Sequence, residues 1–157
     1  MGALYSVQMS ETTLSAASED LLIQLVAGDD VMRGRLRYWG VSFQGVTAAN
    51  EPVRIRLERY SDAATGASTP TPSKWNGRGT DSITAKITAQ VFDNAHAATT
   101  VEVLEEHLVT PNGGLLAVMY PIDLMPEWGL DGAADYIGIA ALANDAVVAS
   151  AFMVWEE

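Results

Sequence analysis

From Val53 to Glu58 every apolar residue is followed by a charged one (Val53-Arg54-Ile55-Arg56-Leu57-Glu58), and the run ends in Arg59-Tyr60. A period of two fits only a β-strand with one face wet; a helix would scatter both kinds of side chain around its circumference. Pro52 ahead of the run is tolerated, because a strand's first residue can lack its N–H. A turn-rich stretch follows, carrying Thr69-Pro70-Thr71-Pro72 and an isolated Trp75, and then a second alternating run, Ile83-Thr84-Ala85-Lys86-Ile87. The expectation is a β-sheet domain with a long excursion between two strands.

Strand-like runs recur along the chain. Residues 4–9 alternate Tyr5, Val7 and Met9 against Ser6 and Gln8, and 21–27 is a short apolar run closed by Gly28-Asp29-Asp30. In 31–43 Arg33, Arg35 and Arg37 share one face and Met32, Leu36 and Tyr38 the other, until the parity switches after Gly40 to Val41 and Phe43. A slip of one residue predicts a bulge near Trp39-Gly40. Further strands are expected at 83–92, at 101–108 (where a short helix is the alternative) and at 115–120, after the turn signal Pro111-Asn112-Gly113-Gly114. Two apolar runs, 136–143 and 147–155, joined by Asn144-Asp145, read as a closing hairpin buried on at least one face. About nine strands and no helix predict an all-β fold, an antiparallel β-sandwich of jelly-roll type with long loops. Its 157 residues suit a single domain, large enough to bury roughly two thirds of its unfolded surface. Residues 1–10 are a candidate contact arm. Residues 61–81 form a loop beyond the ~12–15 residues at which loops are usually functional or disordered. Trp75 within it is either packed on the domain's own surface or a contact anchor.

The charges are segregated. Net charge is −11, yet all nine Lys and Arg lie between Arg33 and Lys86, with no base in 1–32 or 87–157. The acidic balance argues against nucleic acid or an anionic membrane surface as partner. No apolar run reaches the ~20 residues of a membrane span, and the first residues lack the basic and apolar regions of a signal peptide. Gly2 carries only a weak myristoylation signal. Arg54 and Arg56 repeat the pattern of Arg33, Arg35 and Arg37, so neighbouring strands would build an Arg ladder on one sheet face. Such a ladder needs an offset: Glu58, the acidic 101–106 run, or a partner surface. Either the basic strands pair with acidic ones within the fold, or they form a patch for an acidic partner.

Little in the chain points to a reaction. Cysteine is absent, which excludes disulfides, thiolate catalysis and Cys metal sites. His96 and His107 have no metal-ligand spacing, there is no G-x-S-x-G elbow, and Asn76-Gly77-Arg78-Gly79 lacks the Lys-Ser/Thr of a phosphate loop. Asp123, Glu127, Asp131 and Asp135 cluster in sequence as a glycosidase-like carboxylate set or a loose calcium loop, but without the Asp-x-Asp-x-Asp-Gly order. Glu127-Trp128 is a candidate sugar contact. No enzyme, cofactor or metal is expected.

Three segments carry a resemblance. The opening Tyr5-Ser6-Val7 with Ala16-Ala17 before Asp20-Leu21-Leu22-Ile23, the block 53–59 followed by Ala67-Ser68-Thr69-Pro70-Thr71-Pro72, and the ending Phe152-Met153-Val154-Trp155-Glu156-Glu157 are similar to small proteins from the head-gene region of tailed bacteriophages. The chain departs from them over 121–134. The resemblance implies a capsid decoration, or cement, protein. Such a protein sits outside a head built from an HK97-type major capsid protein, often as a homotrimer, bridging capsomers with no catalytic residues. On that reading the expected capsid contacts are the N-terminal segment with Leu4 and Tyr5; the Arg face of Arg33, Arg35, Arg37, Arg54 and Arg56; and the 69–78 loop with Thr69, Pro70, Pro72, Trp75 and Arg78. The alternative is a tail- or fibre-associated module binding a host glycan, with Trp75 and Trp128 as stacking platforms.

Overall fold

The computed structural model describes residues 3–27, 33–44, 51–75, 85–112, 114–129 and 135–157. They form eleven strands: β1 (Leu4–Thr13), β2 (Glu19–Val26), β3 (Gly34–Gln44), β4 (Val53–Tyr60), β5 (Ser73–Lys74), β6 (Thr88–Asp93), β7 (Thr100–Val109), β8 (Leu115–Met119), β9 (Glu127–Trp128), β10 (Tyr136–Leu142) and β11 (Val148–Glu156). One 3-10 turn, Ile122–Leu124, lies between β8 and β9. Nine of the strands have five or more residues.

Two antiparallel sheets face each other. The first runs β5-β1-β11-β3-β8, with β9 continuing along the β8 side of β3; the second runs β6-β2-β10-β4-β7. The pairs β1·β11, β2·β10, β3·β8 and β4·β7 nest inside one another. The chain is therefore one long folded-back ribbon, rolled so that β3 meets β11 and β4 meets β10. This is jelly-roll winding. The excursion between β4 and β7 adds β5 to the border of one sheet and β6 to the border of the other.

Alternation explains the placement. Tyr5, Val7 and Met9 of β1, Val53, Ile55 and Leu57 of β4, and Ala149, Ala151, Met153 and Trp155 of β11 all point between the sheets and are at most 5% exposed. β10 is buried on both faces, which accounts for its unbroken apolar run. Its outer face is roofed by the chain after β4 and the turn after β6: Leu21, Tyr60, Ala64 and Tyr136 form a second small core there. Gln24, fully buried, holds the roof by donating to the Asp62 carbonyl (3.0 Å) and accepting from the Ala64 N–H (2.9 Å). Asp20 accepts the N–H groups of Ser15 and Ala95.

The structure corrects several expectations. β10 and β11 do not form a hairpin; they are central strands of opposite sheets, and residues 143–147 carry the chain across. The bulge lies at Arg37, not at Trp39-Gly40, because Val154 pairs with Tyr38 and Trp155 with Leu36. Tyr38 consequently faces outward, away from Leu36. Ala85, Lys86 and Ile87 are not strand; the amides of Lys86 and Ile87 donate to the Glu157 carboxylate at 3.1 and 2.9 Å. Residues 83 and 84 lie outside the described residues. The 101–108 run is strand throughout.

Trp128 closes one end of the core, fully buried against Gly34, its partner across β3·β9. A Cβ at Gly34 would come within 2.6 Å of three carbons of the indole ring. Gly34→Ala is expected to destabilise the protein by about 1–3 kcal/mol through overpacking, read as a lower midpoint in urea with an unchanged slope.

Candidate interaction surfaces

The arginines were expected to form one ladder, but β3 and β4 belong to different sheets. Arg35 and Arg37 therefore lie on the first sheet and Arg54 and Arg56 on the second, while exposed Arg33 precedes β3. Acidic neighbours within the fold offset most of this charge. Arg35 pairs with Glu127, its cross-strand partner, at 2.6 Å. Arg56 stands among three carboxylates, Glu106 at 2.7 Å, Glu19 at 3.4 Å and Glu58 at 3.6 Å. Arg54 lies 3.9 Å from Glu106 and Arg59 3.5 Å from Glu102. Arg37 reaches Met125 Sδ at 3.8 Å.

Glu58 has no exposed surface, accepts from the Thr100 hydroxyl at 2.8 Å, and depends on Arg56 for charge compensation. Next to it Tyr60 is buried, with His96 edge-on at 5.6 Å. Burial first, and then the Glu58 carboxylate, push the Tyr60 phenol far above its ordinary range. Glu19 is held below the usual carboxylate range, chiefly by the His96 imidazole 3.4 Å away, against the opposing effect of burial. A separate chain joins the two sheets at the border of β7 and β8: Trp39 Nε1 donates to the Tyr120 hydroxyl at 3.1 Å, Tyr120 donates to Glu105, and Glu105 meets His107 at 3.0 Å. Burial and that acceptor raise the Tyr120 phenol as well.

These groups hold the sheets and their roof together. Among the described residues no three His, Asp or Glu side chains converge on a metal position. Of the expected carboxylate cluster, Asp123 is exposed, Glu127 is paired with Arg35, Asp135 accepts the Gly129 N–H at 3.0 Å, and Asp131 lies outside the described residues.

The other expected contact residues are dispersed. From Leu4 onward the N-terminal segment is a strand of the first sheet and not an arm: Leu4 and Tyr5 pair with Glu156 and Trp155 of β11, and Tyr5, 1% exposed, stacks on Trp155 at 6.0 Å. Thr69 and Thr71 are exposed and Pro70 and Pro72 half-buried on the way to β5, whereas Arg78 lies outside the described residues. Three of the four tryptophans, including Trp128, are fully buried, so Trp128 offers no platform; Trp75 is 57% exposed.

What the sequence reading missed is an apolar border. β7 and β8 are the outermost strands on one side of the sandwich. Beyond β8 the chain stays on the same border of β3, with Tyr120 N–H donating to Arg37 and Leu36 N–H to Pro126. Val101, Leu108, Leu115, Met119, Ile122 and Leu124 on this border are each 65–72% exposed. The available signal was the absence of any Lys or Arg after Lys86: β8 and the 3-10 turn carry no cation of their own, the usual protection of a free strand edge.

No family model matches this chain, and no curated protein or solved structure matches it.

Two outcomes follow from the charge network. Arg56→Met leaves Glu58 buried without its cation and should cost about 3–5 kcal/mol, whereas exposed Arg35→Met should cost under ~1 kcal/mol; thermal melts compare them. The raised phenols of Tyr60 and Tyr120 mean that folding requires their neutral forms. That stability is complete below the unfolded phenol pKa of about 10 and is lost as pH rises toward the folded values. Phenolate absorbance should therefore show a late fraction appearing together with loss of near-ultraviolet circular dichroism; ionisation of every tyrosine with the fold intact would contradict this.

Proposed function

We propose that the protein is a virion structural protein of a tailed phage, a decoration protein bound outside the capsid and bridging major capsid subunits. The observation that carries the reading is the apolar border of β7, β8 and the 3-10 turn. Six large apolar side chains are exposed along it: Leu115 and Met119 on the first sheet's outer face, Leu108 on the second's, and Val101, Ile122 and Leu124 on the same two outermost segments, more exposed apolar surface than scattered single residues give. The described carboxylates and histidines that meet are engaged in structural contacts, which favours an assembly role over a reaction. The resemblance to phage head proteins names the partner, an HK97-type capsid lattice. A border of this kind also serves contacts between copies in a trimer. Repetition over many lattice positions makes modest individual contacts tight in aggregate.

The arginines, largely offset within the fold, contribute little to this attachment. Binding to purified heads should change by less than about threefold as salt rises across the range in which exposed charges are screened. The double variant Leu115→Ser/Met119→Ser should weaken it by roughly tenfold or more with melting unchanged. Steep salt dependence, or full binding by the double variant, would return the contact to the basic residues.

A further inference from the structure

We propose that the outer face of the first sheet is a binding groove for a neutral oligosaccharide. Two depressions, of about 300 and 560 Å³, lie side by side over β1, β11 and β3, with the cross-strand pair Gln8 and Phe152 lining both. At one end Trp75 stands beside the ring pair of Tyr38 and Phe152, whose centroids are 4.7 Å apart at 55°. Toward the other end the lining turns to amide and hydroxyl groups, from Gln8, Ser10, Ser42 and Ser150. In a chain of net charge −11 this lining holds one charged side chain, Glu11, at the end away from Trp75.

The chemistry selects the occupant. An anionic ligand would find no cation in the lining, and a cationic one only Glu11. A peptide adding as a strand needs a free edge, but Tyr38 and Phe152 stand on β3 and β11, which are paired on both sides, and β5 covers β1 at Tyr5 and Ser6 beside Trp75. A pyranose ring has an apolar C–H face that lies on an indole or phenyl ring and a rim of hydroxyls that pairs with Ser and Gln. A few polar groups beside aromatic surface are the usual make-up of a small-molecule site. The platforms are also set in advance. The Trp75 N–H donates to the Leu4 carbonyl at 2.7 Å, anchoring the residue to β1. The Phe152 ring lies over Gly40, where a Cβ would approach it to 2.6 Å. Rings already in place lower the ordering cost of binding. Tyr38 and Phe152 thus take the part that sequence reading assigned to Trp128.

The groove adjoins the surface of the capsid reading, since Tyr38 and Ser42 are the register partners of Met119 and Leu115, so the groove is probed at Trp75 and Gln8, on the opposite, β1 side of the first sheet. The test uses the purified full chain, with neutral hexasaccharides of glucose, mannose, galactose and N-acetylglucosamine as probes and oligogalacturonate as the anionic control. Trp75 is the one exposed tryptophan, so acrylamide quenching reports its surroundings. At least one neutral probe should shield it, without dependence on salt. By calorimetry Trp75→Ala and Gln8→Ala should each weaken that probe roughly tenfold or more, with melting and head binding retained. The proposal is overturned if no neutral probe shields Trp75, if Trp75→Ala binds as well as the parent, or if oligogalacturonate binds best. Shielding by protein concentration alone would give the groove to a second copy and overturn it too.

Discussion

Arg56, set among Glu106, Glu19 and Glu58 on the outer face of the second sheet, is the interaction on which the rest depends. Glu58 is fully buried in the middle of β4, and a carboxylate there is tolerable only with a cation and hydrogen bonds beside it. The same cation draws in Glu106 from β7 and Glu19 from β2, the strands flanking β4 and β10. One side chain thus ties β2, β4 and β7 across the sheet under the roof that covers Tyr60 and Tyr136. It also determines what is left for partners, because a large share of the basic charge is compensated inside the molecule. The surfaces that remain are apolar along one border and, over the groove of the first sheet, lined by a single charged side chain, Glu11.

The strands were legible because alternation is a local property. Val53–Tyr60 falls where the residues placed it, and about nine such runs suffice for the sandwich class. Pairing was not legible. In this winding each long strand pairs with partners far away in the chain, so a short link such as Asn144-Asp145 looks like a hairpin turn while joining opposite sheets. The bulge in β3 shows the same boundary at smaller scale. The parity change between Leu36 and Val41 announces an extra residue, but only the register with β11 identifies Arg37 as that residue. Gly40 serves another purpose, making room for the Phe152 ring.

The candidate sites divide along similar lines. Charge and aromaticity drew attention to the arginines, Tyr5 and Trp128, and packing then absorbed them: Arg56 into the ion cluster, Tyr5 against Trp155, Trp128 onto Gly34. Trp75 stays exposed because it follows a two-residue strand at the sheet's border, where little chain can cover it. The apolar border was hidden for the opposite reason. Leu115, Met119, Ile122 and Leu124 look like core residues in a sequence, and only their place on the rim leaves them uncovered.

The most direct test is hydrogen–deuterium exchange on the protein alone and bound to purified phage heads. The account predicts that amides of β7, β8 and residues 120–125 gain protection on binding while those of β11 and β4, already held on both sides within their sheets, change little. Protection concentrated on residues 69–75, or on the segments around Arg33, with none on β7 and β8, would contradict it.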